Sequence, residues 1–342
     1  MKVVLQNVTK KFPSRNRKSP DAVVAVDNFN FEIPDGKLVG LLGPSGCGKS
    51  TLLRCLAGLE TVSSGKIFLD GKDITDISPR DRGIGMVFQQ YSLFPNMTVE
   101  QNIAFGLKIK KTDKNIIQEK VNDIINIVGL KEQAKQYPSQ LSGGQQQRAA
   151  LARAIVTEPK VLLLDEPLSA IDALLRHSLQ IEIRRIQQEL GITAIFVTHD
   201  QDEAMVMSDV IHLMYQGHME QSGRPTELYT KPATKFVASF IGHYNMLDAP
   251  VMKKICGADI ASESIAFRPE LIHVSTEPVE DPDSYMIPGE IAFSLPHGNI
   301  LRYAVMCGDT QVDVDALFGT EAPYCIGDRI YLSIRKDDCI YL

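Results

Sequence analysis

The sequence predicts an α/β domain over residues 1–241 and a small all-β domain over 242–342. Three observations carry that reading. Gly43-Pro44-Ser45-Gly46-Cys47-Gly48-Lys49-Ser50-Thr51 stands between the apolar run Leu38–Leu42 and the stretch Leu52–Ala57, which gives strand, glycine-rich loop, helix. Val161-Leu162-Leu163-Leu164 runs straight into Asp165-Glu166-Pro167, and a continuous apolar run of this kind suits a strand buried on both faces of a sheet. Beyond Gly242 the texture changes to short apolar runs punctuated by Pro250, Gly257, Pro269, Pro288-Gly289, Pro296-His297-Gly298, Gly308-Asp309, Gly319 and Gly327-Asp328. Evenly spaced short strands suggest a small barrel or sandwich.

The glycine-rich stretch fits the phosphate-binding pattern G-x-x-x-x-G-K-[ST]. Without side chains at Gly43, Gly46 and Gly48 the backbone can curl until successive N–H groups point inward at a polyphosphate. The helix starting near Lys49 adds its partly positive N-terminus. Lys49 is placed to reach the β- and γ-phosphates, and the Ser50 hydroxyl to ligate Mg²⁺.

The elements follow in order. Val3–Val8 alternates and reads as a strand, with Phe12 after it and a basic loop through Pro13, Arg15, Arg17, Lys18 and Pro20. Ala25–Ile33 is a strand that stops at the turn Pro34-Asp35-Gly36. After the phosphate loop and its helix, Lys66–Leu69 is a strand and Asp70-Gly71 a hairpin signal. Ile84–Phe88 is a further buried strand. From Thr98 to Ile155 the period becomes helical, through Val99, Ile103, Ile117, Val121, Ile124 and Val128, so a helical insert separates two strands. Ala173–Leu190 is a helix and Thr193–Val197 a strand ending at Thr198-His199-Asp200. Val210–Met214 and His218–Gln221 form a hairpin around Gly217, and two short helices near Pro225–Tyr229 and Ala233–Phe240 lead out of the domain.

The totals exclude several classes. A chain of 342 residues, 44% hydrophobic and 23% charged, has a globular profile. Its net charge of −6 gives no electrostatic case for nucleic acid. No run approaches the ~18 apolar residues of a membrane span, and the first residues are too short an apolar run for a signal peptide. The six cysteines form no C-x-x-C pair and read as free thiols of a reducing compartment.

Other residues add chemistry. Asp165, at a strand end, is where a Mg²⁺-holding carboxylate is expected, and Glu166 beside it suits polarising an attacking water. His199, at another strand end, is placed to sense a γ-phosphate. Ser142-Gly143-Gly144-Gln145 opens a helix with a hydroxyl, free N–H groups and a positive dipole end. That start reads either as a second anion site or as a well-capped helix. With the helical insert between them, this start and the phosphate loop are not expected to grip the same nucleotide; two chains head to tail would complete each other's sites.

Taken together, Gly43–Thr51, Gln89, Leu141–Gln145, Val161–Pro167, Ser169-Ala170-Ile171-Asp172 and His199 come in the order and rough spacing of the Walker A, Q-loop, signature, Walker B, D-loop and switch-histidine motifs of ABC transporter ATPase subunits. Over residues 1–241 the chain resembles that family. The resemblance implies a phosphate-loop NTPase with a RecA-like core, a β-subdomain and a helical insert at about 98–155. It implies ATP and Mg²⁺ as cofactors. Lys49, Ser50 and the loop amides hold phosphates, Asp165 and Gln89 attend Mg²⁺, Glu166 orients water, His199 assists, and Ser142–Gln145 and Asp172 lie at the nucleotide between two paired subunits. Phe12 matches the family's adenine-stacking aromatic or is a core phenylalanine. Ile171 stands where leucine is more usual.

Ala266-Phe267-Arg268-Pro269-Glu270 resembles the turn of the OB-like TOBE accessory domain, which points to importers. The resemblance implies a homodimer or paired ATPase subunits, two membrane-spanning permease subunits, an indirect link to a solute-binding protein, and a peripheral place on the cytoplasmic face of the membrane. The second domain either dimerises or regulates. The solute reading leans to ferric iron or polyamine, with sugar and phosphonate also open. The alternative is a non-transport ABC ATPase switching a macromolecular partner. A chromosome-type member would need a very long coiled coil between Gly43 and Asp165, a ribosome-type member two ATPase units, and a GTPase an N-K-x-D motif; the sequence has none of these.

Overall fold

The structure, a computed structural model, describes residues 3–13, 22–169, 171, 173–279, 281–298, 300–317 and 324–342. It divides into two compact units, Met1–Pro225 and Thr226–Leu342.

The first unit contains β1 (Val3–Phe12), β2 (Val23–Ile33), β3 (Leu38–Leu42), α1 (Lys49–Ala57), β4 (Ser64–Leu69), β5 (Lys72–Asp73) and β6 (Ile84–Val87). Then come α2 (Val99–Ile109), α3 (Lys114–Ile127), α4 (Gly143–Ile155), β7 (Val161–Asp165), α5 (Ala173–Leu190), β8 (Thr193–Thr198), α6 (Gln201–Met207), β9 (Val210–Tyr215) and β10 (His218–Gly223).

Two sheets organise these elements. The larger has the order β10-β9-β3-β8-β7-β6, parallel except for the β9–β10 hairpin. Every residue of β3, β7 and β8 is buried, as an all-apolar strand between two covered faces requires. The smaller sheet is antiparallel, β2-β1-β4-β5. One apolar core fills the space between the two sheets around α1, with Leu5, Phe29, Leu41, Leu52, Leu56 and Ile195. A second core joins the other sheet face to the helical insert through Phe196, Leu164, Leu151, Ile103 and Ile125. Asp70 and Gly71 both have positive φ, 55° and 75°, so the β4–β5 turn is the two-residue kind that the Asp-Gly signal predicts.

The expected first strand, Val3–Val8, continues to Phe12 through register shifts near Asn7, whose φ is 50°. Phe12 therefore lies inside a strand, opposite Val23.

His212 on β9 packs 4.9 Å from the Phe31 ring, and neither of its nitrogens has a hydrogen-bond partner among the described residues. Burial pushes its imidazole down to about 4 from an ordinary 6.5. The fold thus prefers the neutral ring while the unfolded chain takes a proton near 6.5. Stability is undisturbed above that pH and falls as pH drops toward 4. Between pH 7.5 and 4.5 this residue is expected to remove about 2–3 kcal/mol. His212→Leu should flatten that part of the profile in urea titrations; an unchanged slope would assign the acid loss to other groups.

The second unit takes in most of α7 (Pro225–Thr230), then α8 (Lys235–Ile241), β11 (Asn245–Asp248), α9 (Ala249–Cys256), β12 (Ser264–Phe267), β13 (His273–Ser275), β14 (Ser284–His297), β15 (Ile300–Cys307), β16 (Thr310–Leu317), β17 (Arg329–Arg335) and β18 (Ile340–Tyr341). Two antiparallel sheets, β11-β12-β18 and β13-β17-β14-β15-β16, share a core of Phe267, Ile287, Val305, Val314 and Leu332. This is a small all-antiparallel β domain, as the turn pattern predicts, and it agrees with the OB-like domain that the Ala266–Glu270 resemblance implies.

Three details differ from the sequence expectation. The units part at Pro225/Thr226 rather than at 241/242, because Tyr244 donates to the Tyr229 carbonyl at 2.6 Å and packs with Ala238 and Ala266, so the two short helices belong to the second unit. Pro250 marks the first turn of α9, where its missing N–H costs nothing, rather than a break between strands. Pro288-Gly289 lies within the long β14, where an added Cβ on Gly289 would meet the Val305 side chain at 2.5 Å; the glycine makes room for side chains of the paired strand β15 rather than for a reversal.

Candidate functional site

Parallel strands align their carboxyl ends, and open α/β sheets bind ligands at that edge. Here β3, β8, β7 and β6 are consecutive neighbours, and their ends carry the loop from Gly43, then Thr198-His199, then Asp165-Glu166, then Phe88-Gln89. Register brings Leu42 level with Thr198 and Asp165 level with Val197. Residues separated by more than a hundred positions thus meet along one sheet edge.

The loop takes the curled form its glycines predict. Gly46 and Gly48 have φ of 81° and 102°. A Cβ on Gly48 would stand 2.1 Å from the Ala25 carbonyl oxygen, and one on Gly43 would stand 2.2 Å from that of Met214. Pro44 is half-buried and Ser45 is exposed at the crown. Lys49 is buried, and its ammonium donates to the carbonyls of Gly43 at 2.6 Å and Pro44 at 2.9 Å. Its third direction meets the Cys47 sulfur at 3.7 Å. Cys47 is buried as well; burial raises its thiol pKa, against a smaller opposing pull from Lys49. Thr51 follows, half-buried in the first turn of α1.

Ser50 donates its hydroxyl to the Asp165 carboxylate at 2.8 Å. A hydroxyl and a carboxylate side by side are a hard oxygen set of the kind Mg²⁺ prefers, so these residues fit that ion. Gln89 donates to Glu166 Oε2 at 3.1 Å and to Ser169 Oγ at 3.4 Å. His199 Nδ1 lies 3.7 Å from the same Glu166 oxygen, with its ring about half exposed. Glu166 itself has a φ of 46°, a left-handed backbone uncommon for a side chain of its size. Bonds from its N–H to the Val197 carbonyl and from Ser169 Oγ to its own carbonyl hold that conformation. Such strain marks a position whose side-chain direction the fold fixes.

The His199 turn is fixed on both sides. Thr198 donates to buried Glu203 at 2.6 Å, Asp200 N–H donates to Thr198 Oγ1 at 3.0 Å, and the Asp200 carboxylate caps α6 by accepting from Glu203 N–H at 3.1 Å. Arg176 reaches Asp200 at 3.2 Å. Asp200 and Glu203 stand in the stretch Asp200–Ala204 after the strand, where the Asp-x-x-Glu spacing is a capping signal; Arg176 carries no such signal in the sequence.

Ser142 caps α4 in a reciprocal box with Gln145: Ser142 N–H donates to Gln145 Oε1 at 2.9 Å and Gln145 N–H to Ser142 Oγ at 3.4 Å. Within one chain the capped-helix reading therefore holds for the hydroxyl. Ser142 and Gly143 are exposed, a Cβ at Gly143 would meet nothing within 4 Å, and Gly144 is buried behind them. Among the described residues no hydrogen bond joins this helix start to the phosphate loop. Phe12 is half-buried with the Lys10 ammonium 4.8 Å from its ring, and it is not among the fully buried residues of either core of the first unit. Asp172, and Ala170 of the same motif, lie outside the described residues.

A family model described as "ABC transporter" matches residues 26–169. A spermidine/putrescine import ATP-binding protein PotA of Clostridioides difficile is 44% identical over 290 residues, 82% of this chain and 84% of that protein. This chain belongs to the ABC transporter ATPase family. A PotA of Acidothermus cellulolyticus is 43% identical over 324 residues, 89% of this chain and 83% of that protein. One of Mannheimia succiniciproducens is 50% identical over 239 residues, which is 70% of this chain and 64% of that protein. Among solved structures, a dimeric post-hydrolysis state of the ATP-binding cassette MJ0796 bound to ADP and Pi aligns with a TM-score of 0.57 at 31% identity, covering 65% of this chain and 98% of that one. The ATPase is of the importer type: it binds ATP and couples its hydrolysis to uptake, and its second unit is the OB-like domain of that branch.

Proposed function

We propose that this ATPase drives polyamine import. The observation that carries the reading is the match to PotA proteins over both units, since the alignments to the Clostridioides and Acidothermus proteins take in 82% and 89% of the chain. Two copies pair head to tail on two permease subunits at the cytoplasmic face of the membrane, with a polyamine-binding protein opposite. Dimeric cassettes of the same fold and the absence, among the described residues, of any helix long and apolar enough to cross a membrane support this arrangement.

The chemistry follows from the sheet edge. The loop amides and Lys49 bind the phosphate tail, the ammonium leaving the Gly43 and Pro44 carbonyls for phosphate oxygens. Ser50, Asp165 and Gln89 would hold Mg²⁺, which supplies neutralising charge for the phosphoryl oxygens. Glu166 accepts a hydrogen bond from the attacking water and aligns it; its fixed backbone sets the direction of that carboxylate. His199, whose Nδ1 stands 3.7 Å from the same oxygen, faces the γ-phosphoryl group. The N–H groups at the start of α4 from the partner copy cover that group, and cleavage of the terminal P–O bond releases them. Opening and closing is thus a two-state element biased by nucleotide.

Reconstituted with its permease and binding protein in proteoliposomes, the ATPase is expected to take up labelled spermidine or putrescine only with ATP inside. Uptake of ferric iron, sugar or phosphonate, with no polyamine uptake, would overturn the solute assignment.

A further inference from the structure

Gln89 sits at the start of a loop whose backbone is held in an unusual form. Tyr91 and Ser92 are consecutive residues with φ of 55° and 48°. Neither is a residue type that adopts the left-handed region easily, and two in succession need an external hold. That hold comes from α4. Arg153 donates to the Tyr91 carbonyl at 3.0 Å and to the Ser92 carbonyl at 2.8 Å, and its guanidinium lies 5.3 Å from the centre of the Phe94 ring. Phe94 packs in turn on Phe105 at 4.4 Å. Its main chain exchanges hydrogen bonds with the fully buried Asn102 of α2, at 2.8 and 3.1 Å. The far side of the loop is therefore anchored to α2 and the near side to α4. The hydroxyl of buried Tyr91 has no hydrogen-bond partner among the described residues, so its side chain contributes no polar hold of its own.

α4 is one unbroken helix from Gly143 to Ile155, capped by Ser142 and carrying Arg153 near its other end. A continuous hydrogen-bonded helix of this length moves largely as one body. We propose that Arg153 is a positioning residue that ties the Gln89 loop to α4, so that engagement of the α4 start at the partner copy's nucleotide re-aims Gln89, and through it Glu166, in its own chain. This rests on the head-to-tail reading above and adds to it a route by which one site informs the other. The fork geometry is essential: two carbonyls are gripped by two donors of one planar group, which the single point charge of lysine does not reproduce.

The test uses the full chain. Glu166→Gln mixed with MgATP reports the head-to-tail reading alone, by dimer formation in light scattering. Arg153→Lys reports the coupling. Hydrolysis by the parent is expected to be cooperative in ATP; the variant should show a Hill coefficient near 1 and a kcat lower by about tenfold, within the range of common coupling energies. ATP affinity, measured by calorimetry in the Glu166→Gln background, should stay within about twofold. An arginine that only steadies the loop predicts a lower kcat with the parental Hill coefficient. Ser92→Gly, which accepts the left-handed backbone without strain but does not rebuild the tie to α4, should return part of the lost kcat to Arg153→Lys and leave its Hill coefficient near 1. The coupling is overturned if Arg153→Lys keeps parental cooperativity, if ATP affinity falls in step with kcat, or if Ser92→Gly restores cooperativity as well. If Glu166→Gln does not dimerise with ATP, the head-to-tail reading fails and the coupling fails with it.

Discussion

Glu166→Gln is expected to lower turnover by about 10²–10⁴-fold while leaving ATP bound, because the amide keeps the shape of the carboxylate and loses its capacity to accept and align a water proton. That corresponds to about 3–5 kcal/mol of transition-state stabilisation. Its surroundings make the substitution clean. The backbone at 166 is held at a φ of 46° by main-chain bonds that the side chain does not make, so the new amide points where the acid did. Gln89 and His199 both approach the same Glu166 oxygen, and only one of the two amide atoms of glutamine can accept from them. With hydrolysis stopped and binding intact, the closed dimer should accumulate in MgATP. The measurement is phosphate release alongside the dimer fraction by size-exclusion chromatography; turnover within a few-fold of the parent would remove Glu166 from the role given to it.

Gly48→Ala should be nearly as damaging by a different route. The added methyl would lie 2.1 Å from a main-chain oxygen of β2, and main chain in a paired strand cannot step aside as a side-chain tip would. The φ of 102° also lies outside the wells of any residue with a Cβ. Strain of this kind costs about 1–3 kcal/mol, and relief of the overlap requires the loop to uncurl. Loss of the curl turns the inward N–H groups away from phosphate, so ATP affinity by calorimetry is expected to fall more than tenfold, with a lowered Tm. Gly46→Ala is the internal comparison. It has a positive φ of 81° but nothing within 4 Å of the new methyl, so its effect should be clearly smaller. Equal affinity losses for the two variants would show that overlap with Ala25 is not what fixes the loop.

Much of the first unit was legible because its signals are local. An all-apolar run reads as a covered strand, an Asp-Gly pair as a two-residue turn, and a glycine-rich loop between strand and helix as a phosphate cradle; β7, the β4–β5 turn and the Gly43–Thr51 loop all have those forms. The convergence of Gly43, Gln89, Asp165, Glu166 and His199 was legible only through motif order, since nothing local in the sequence states that β3, β8, β7 and β6 are neighbours. The left-handed backbone at Glu166, Tyr91 and Ser92 left no compositional trace, because glycine is the usual signal for it and none of the three is glycine. In the second unit the turn markers misled where tertiary packing overrode them. Pro250 begins a helix and Gly289 makes room for side chains of the paired β15, and both roles depend on partners distant in the chain.

The buried Cys47 beside Lys49 has a consequence for the protein under oxidative conditions. Only the thiolate is readily attacked by peroxides and alkylating reagents. A sulfur 4% accessible, whose burial favours the protonated form, is a poor target even though it lies in the loop that grips the fuel. The solvent-facing Cys325 of the second unit would meet such reagents first, so oxidation would mark the accessory module long before it silenced the motor.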